Sequence, residues 1–320
     1  MVKGNRRRLA EGDKHVVFTY RVPVAEAVRS KPDPVDFVLP GLVAGSLGVV
    51  VAPGGVGKSM LMLQTAISIA LGRDVYGIWS DGAACGIKSG PVILAMVEDA
   101  ASIVKDRLHN ACRSIDDQDL ERLDRDLIIL PYYGKGFSLI ERRENGLAES
   151  GMFEALCDEI RKLPVPPRLV VFDTLNRCLN GASENSAGDV SQVINIVERL
   201  CADVGCAAVL VHHANKASMQ SGNGSAQYAA RGSSAITDNC RWQVNLSHAD
   251  SEPSESRNNA GAAARVVLAL AKVNYGAPLA PAFLTRDASG LLWGATPRDE
   301  HGRAGGPSLS VVERHDDNWS

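Results

Sequence analysis

The sequence predicts an α/β protein: a mainly parallel sheet flanked by helices, with further antiparallel strands on its C-terminal side. Three observations predict it. Short apolar runs alternate with longer stretches of helical periodicity from Val35 to His213, which reads as βα units covering both faces of a parallel sheet. Only 5% of the residues are aromatic while 45% are hydrophobic. The core is therefore Val, Ile, Leu and Ala, which suits a buried parallel sheet better than an aromatic-rich sandwich. After His213 polar, Gly- and Ser-rich stretches separate strand-like runs, the pattern of antiparallel additions.

Taken in order, residues 1–34 are polar and basic (Lys3, Arg6, Arg7, Arg8) and end in Lys31-Pro32-Asp33-Pro34. They read as an arm that is flexible or packs on a neighbour. Residues 35–296 form the predicted domain. Its strands are expected at 46–51, 91–97, 127–131, 168–172 and 207–211, each a short apolar run. Helices are expected at 58–71, 100–113, 151–162 and 187–204. The Gly/Ser/Asn/Gln-rich stretch Ala217 to Ala226 precedes Arg231-Gly-Ser-Ser, and strand-like runs follow at 241–246, 264–273, 282–286 and 291–294. Residues 297–320 are polar and glycine-bearing, a tail expected to be disordered. There is no internal repeat.

With Lys+Arg 34 against Asp+Glu 37, the net charge of −3 gives no global positive field. Any nucleic-acid contact must then come from a local patch. The seven cysteines form no C-x-x-C pair and read as reduced, largely buried thiols of a cytoplasmic protein. No apolar run crosses a bilayer without interruption, and Met1 to Glu11 lacks the apolar segment of a secretory signal. No membrane partner is expected.

The segment Ala52-Pro53-Gly54-Gly55-Val56-Gly57-Lys58-Ser59 follows an apolar, β-branched run (Leu47 to Val51) and precedes the apolar stretch Met60 to Leu71. Strand, glycine loop, helix is the context that a phosphate-binding P-loop requires. Its glycines let successive N–H groups turn toward phosphates, and the helix N-terminus adds partial positive charge. Pro53, Gly54, Gly55, Val56, Gly57, Lys58, Ser59 and Met60 are thus the expected cradle for ATP. Lys58 reaches the β- and γ-phosphates and Ser59 ligates Mg²⁺. Ala52 stands where the pattern has its first Gly, a small residue that still allows the turn.

Three further features refine this. Leu169-Val170-Val171-Phe172-Asp173 is an apolar strand ending in a carboxylate, so Asp173 is the candidate for the Mg²⁺ shell; the plain alternative is a helix cap. Pro91 to Val97 ends in Glu98-Asp99, where a carboxylate can polarise the attacking water. Glu98 is the choice and Asp99 the alternative. Ala207 to Val211 ends in His212-His213-Ala-Asn215-Lys216, and a polar side chain at that tip can sense the γ-phosphate and move the loop behind it. No partner at metal-ligand spacing turns these histidines into a zinc site.

The order P-loop, Glu, Walker B Asp, polar sensor strand is that of the RecA-like motor ATPases. More narrowly, the chain resembles the plasmid-encoded, ring-forming replicative DNA helicases of the RepA type. The matching segments are Phe37-Val-Leu-Pro-Gly-Leu-Val-Ala-Gly45 leading into the P-loop, Phe172-Asp-Thr-Leu175 and Val211-His-His-Ala-Asn-Lys216. Also matching are Ala230-Arg-Gly-Ser-Ser234 with Asp238-Asn-Cys-Arg-Trp242, and Lys272-Val-Asn-Tyr-Gly-Ala-Pro278. The resemblance covers roughly residues 35–294. It implies a homohexamer encircling single-stranded DNA and moving 5′→3′ on ATP hydrolysis, with a plasmid initiator protein and a primase as partners. It implies His213, with His212 beside it, as γ-phosphate sensor and Arg231 as an arginine finger supplied by the neighbouring subunit. Asn274 stands where larger replicative helicases carry their finger, which leaves Lys272 as a second cation acting in trans.

Two loops would face the channel of such a ring, Arg177 to Asp189 and Lys216 to Ala229. Both are rich in small polar residues, hence expected to be flexible. Arg177 and Lys216 are their cations and the candidate DNA-binding residues. The bland alternative is a flexible connection without DNA contact. A RecA-like ATPase that does not unwind DNA, and a nucleotide-dependent binding module, are the competing functions.

Overall fold

The computed structural model describes residues 21–79, 86–144, 146–213, 234–249, 264–276 and 279–294. The chain divides into two compact units, Met1–Asp36 and Phe37–Ser320. In the first, the described helix α1 (Val24–Arg29) has no buried residue.

The second unit opens with a short hairpin, β1 (Phe37–Leu39) and β2 (Leu42–Val43), followed by β3 (Leu47–Ala52) and α2 (Lys58–Leu71). Then come β4 (Val92–Met96), α3 (Ala101–Ala111), α4 (Asp117–Asp126) and β5 (Leu127–Pro131). A second hairpin, β6 (Ile140–Arg143) and β7 (Gly146–Glu149), leads to α5 (Gly151–Arg161), β8 (Leu169–Asp173), α6 (Ala187–Val204) and β9 (Ala207–His213). The last elements are α7 (Ser234–Asn239), β10 (Trp242–His248), β11 (Ala264–Val273), β12 (Ala282–Arg286) and β13 (Leu292–Gly294).

Nine strands make one sheet in the order β13-β12-β11-β10-β3-β9-β8-β4-β5. From β10 to β5 every pairing is parallel; β11, β12 and β13 are added antiparallel. The predicted fold class is the observed one, with one correction. The 241–246 run was grouped with the antiparallel additions, yet β10 pairs parallel with β3. The chain between His213 and Trp242 is long enough for the crossover that a parallel pairing needs.

Side-chain alternation divides the core into two layers. Ala207, Val209 and Val211 of β9 pack on the α2 face, while Ala208 and Leu210 pack against α6 on the other. Helix α2 is buried at every position except Ser59, so its apolar residues show no single stripe. Its buried Gln64 is satisfied by Leu292 of β13, donating to that carbonyl at 2.8 Å and accepting from its N–H at 2.9 Å. On β3, Gly48 leaves room for the buried Trp242: a Cβ there would lie 2.5 Å from the indole Cε3.

Helix α4 was not expected. Only Leu120 and Leu123 are apolar among its charges, and Leu123 is buried in the core. Asp116 caps the Asp119 N–H, and Asp119 pairs with both Arg73 and Arg122.

Candidate active site

The sheet register brings the predicted strand tips together. Ala52 pairs with His213, Asp173 with Val211, and Met96 with Asp173, so the ends of β3, β9, β8 and β4 lie side by side. Ligands of open α/β sheets bind at such carboxyl ends.

Beyond β3 the P-loop turns through Gly55 (φ +82°) and Gly57 (φ +116°), angles that favour glycine. Gly54 and Gly55 are exposed and Val56 is buried. No backbone–backbone hydrogen bond among the described residues uses the N–H of Gly54, Gly55, Val56 or Gly57, which leaves these donors for an anion at the start of α2.

Lys58 is buried within the loop it serves. Its Nζ donates to the carbonyls of Ala52 and Pro53, both at 3.0 Å, and lies 3.1 Å from His213 Nδ1. Three partners use the three ammonium protons. Burial lowers its pKa, opposed by the charges of Asp173 and Glu98. With Nδ1 accepting from Lys58, the ring proton of His213 belongs on Nε2, which lies 3.5 Å from Glu98 Oε2.

Glu98 also accepts from Thr174 Oγ1 at 2.9 Å, and Arg177 Nε lies 3.8 Å away. Its carboxyl is held below the usual range by the His213 hydrogen bond, with desolvation opposing and Thr174 and Arg177 assisting. Asp99 is engaged elsewhere, paired with Arg107 of α3. Of the two adjacent acids, Glu98 is the one brought to the P-loop lysine and the histidine.

Asp173 is buried, and desolvation pushes its carboxyl up to about 6 against the hydrogen bond from the Ser59 hydroxyl. Its Oδ1 has no hydrogen-bond partner. An orphaned carboxylate oxygen beside the Ser59 hydroxyl fits the donor set for Mg²⁺, which keeps waters and binds through one or two carboxylates together with substrate phosphates. Among the described residues no cluster of three or more His, Cys, Asp or Glu could hold a metal alone.

The remaining predicted residues fall in different places. Met60 begins the buried face of α2. His212 is 1% exposed, and strand alternation sends it to the α6 face, away from the face of His213. Neither of its ring nitrogens has a hydrogen-bond partner, and burial pushes its pKa down to about 4. Lys272 donates to the carbonyls of Thr237 at 2.7 Å and Asp238 at 3.1 Å, capping the end of α7.

Arg177 lies in a 3₁₀ turn, Asn176–Cys178, with its side chain 67% exposed and leaning toward Glu98. The start of that loop is less free than expected: Cys178 and Leu179 are buried, and Cys178 O accepts from Leu139 N–H at 2.8 Å. Arg231 and Lys216 lie outside the described residues.

Two contacts escaped sequence reasoning. Thr174 directly follows Asp173, but its bond to Glu98 depends on the pairing of β8 with β4. Arg286 of β12 donates from Nη1 to Gly55 O of the P-loop at 2.6 Å, and no local signal announces it.

Against known proteins, a family profile described as "AAA domain" matches residues 18–219. Among solved structures, "ATPase Domain of G40P" aligns with a TM-score of 0.54 and 16% identity, covering 89% of this chain and 99% of that one. "The Structure Of A DnaB-Like Replicative Helicase And Its Interactions With Primase" aligns with the same TM-score, identity and share of this chain, and with 67% of its own. At that identity the likeness is one of fold.

Proposed function

The chain belongs to the AAA domain family, and from that premise we propose that it is an ATP-hydrolysing motor acting on single-stranded DNA, a 5′→3′ replicative helicase of the RepA kind. The observation that carries this reading is the joining of Lys58, His213 and Glu98 at one end of the sheet, beside Ser59 and Asp173. A module that only binds nucleotide has no use for a carboxylate poised beside the sensor histidine.

In this reading the free N–H groups of the loop and the Lys58 ammonium take the phosphates of ATP. Mg²⁺, held by Ser59 and through Asp173, would offset the charge of the phosphate oxygens. Glu98 orients and polarises the attacking water, and Thr174 fixes the carboxylate in place. His213 links Glu98 to Lys58, so a change at the phosphate reaches the loop that begins at Ala214.

The wider assembly belongs to the same proposal. It is a cytoplasmic homohexamer for plasmid or mobile-element replication, with a primase and an initiator protein as partners. Lys216 and Arg177 contact DNA, Arg231 completes the neighbour's site and Lys272 assists it in trans. The arm 1–34 and the tail 297–320 flank the motor domain. Among the described residues no helix is long and apolar enough to cross a membrane.

The test combines ATPase assays with and without single-stranded DNA, unwinding of a forked duplex with either overhang, and particle mass with and without ATP. DNA-stimulated turnover by a six-subunit particle that opens only the 5′-tailed fork supports the reading. Turnover without unwinding leaves a RecA-like ATPase that handles DNA otherwise. Mixing Arg231→Ala with Lys58→Ala subunits tests the shared site, because ATPase should return where an intact Arg231 meets an intact P-loop.

A further inference from the structure

The tip of the P-loop has little to hold it. A Cβ built at Gly54 or Gly55 would meet nothing within 4 Å, and two glycines in a row carry large backbone freedom. Lys58 fixes the base of the loop through the Ala52 and Pro53 carbonyls. Among the described residues, the one side chain from outside the motif that hydrogen-bonds the loop backbone is Arg286, at Gly55 O.

Arg286 stands on a rigid mount. The turn after it is organised by the Asp287 carboxylate, which accepts from Ser289 N–H at 2.9 Å, Ser289 Oγ at 2.7 Å, Leu291 N–H at 3.0 Å and Trp293 Nε1 at 2.9 Å. Two hydrogen bonds between Gln64 and Leu292, one donated by each, fasten the next strand to α2. Among the described residues no carboxylate pairs with Arg286, and its hydrogen-bond partner is the Gly55 carbonyl.

We infer that Arg286 is a positioning residue for the nucleotide, acting through the Gly55–Val56 peptide; this rests on the ATPase reading. The carbonyl of Gly55 and the N–H of Val56 belong to one planar trans unit and point in opposite directions. A guanidinium that fixes the carbonyl outward therefore fixes the Val56 N–H toward the side where the loop takes phosphate. In this role Arg286 acts on the loop backbone, and a loop held in this way needs less ordering on binding. Arg286, far along the chain from the motif, thereby becomes a support of the phosphate site.

The experiment compares the unaltered full chain with Arg286→Ala and Trp293→Phe. It measures binding of a fluorescent ADP analogue with Mg²⁺, the KM and kcat of ATP hydrolysis, and Tm. Trp293→Phe loosens the Asp287 turn without touching Gly55, so it reports what a merely structural hairpin would do.

A charge-assisted hydrogen bond lost at Arg286→Ala should weaken ADP binding and raise KM by roughly tenfold or more. The kcat at saturating ATP should stay within about threefold, as expected when binding common to ground and transition state is removed. Trp293→Phe should bind ADP like the unaltered chain. Unchanged ADP affinity in Arg286→Ala, equal weakening in both variants, or a fall in kcat with KM unmoved overturns the inference alone. Failure of the unaltered chain to bind ADP overturns the ATPase reading and this inference with it.

Discussion

Lys58 and His213, 155 residues apart in the chain, meet at 3.1 Å between Nζ and Nδ1. The other nitrogen of the same ring faces Glu98 at 3.5 Å. One imidazole thus joins the lysine proposed to meet phosphate charge to the carboxylate proposed to activate water. Lys58 is turned onto the loop's own carbonyls and this ring. If Lys58 takes phosphate as proposed, a movement of its ammonium changes the partner of His213 and so reaches the tip of β9.

Lys58→Ala should abolish ATP hydrolysis. Because the buried ammonium also satisfies the Ala52 and Pro53 carbonyls, it should lower stability too, by about 1–3 kcal/mol. Urea unfolding beside an ATPase assay separates the two effects. Residual turnover near that of the unaltered chain would remove Lys58 from the site.

Glu98→Gln should bind ATP and hold it unhydrolysed, since the amide keeps shape and hydrogen bonding but not the polarising charge. Asp99→Asn should turn over ATP nearly normally, with a small loss of stability from the weakened Arg107 pair. Single-turnover rates decide between them. Normal hydrolysis by Glu98→Gln together with loss in Asp99→Asn would transfer the role to the neighbouring acid.

Gly48→Ala probes the packing behind the P-loop strand. The added Cβ would collide with Trp242, 2.5 Å from Cε3, and overpacking of this kind costs about 1–3 kcal/mol. Trp242→Leu alone should destabilise by leaving a cavity, while the double variant should be more stable than the sum of the two losses implies. Strict additivity in chemical denaturation would mean that the ring does not constrain Gly48.

How much of this was legible in the chain depended on distance. The P-loop is contiguous and its flanks declare strand and helix, so Pro53 to Met60 could be read directly. Asp173 and Glu98 were legible as carboxylates ending apolar strands, because a parallel sheet lines up such tips. Glu98 and Asp99 are adjacent letters, and what separates them in space is the pairing of Asp99 with Arg107 of α3. His212 and His213 are adjacent letters, and only the two-residue alternation of β9 sends them to opposite faces. The bond between Arg286 and Gly55 spans 231 residues and follows from a register that no local pattern encodes. Helix α4 offers only two apolar residues among its charges, and Leu123 in the core together with the Asp119 pairs holds it in place.

The two sides of the β8–β9 pair carry a pH dependence that should be nearly invisible until one group is removed. Asp173, with its carboxyl pushed up to about 6 from 3.8 by burial, holds a proton in the folded state where the unfolded chain has lost it. Between those values stability therefore falls as pH rises. His212, pushed down to about 4 from 6.5 by burial, is neutral in the folded state where the unfolded chain is charged. Between those values stability rises with pH. The two windows overlap from about pH 4 to 6, and each shift corresponds to about 3 kcal/mol, so the slopes oppose and nearly cancel. Asp173→Asn should leave the His212 slope exposed: the variant gains stability from pH 4.5 to 6, and near neutral pH without nucleotide it should be more stable than the unaltered chain although it cannot hydrolyse ATP. His212→Asn should do the reverse and lose stability over the same interval. Urea titrations at half-unit steps of pH read both slopes, and two variants that slope alike would show that these buried groups do not set the pH response.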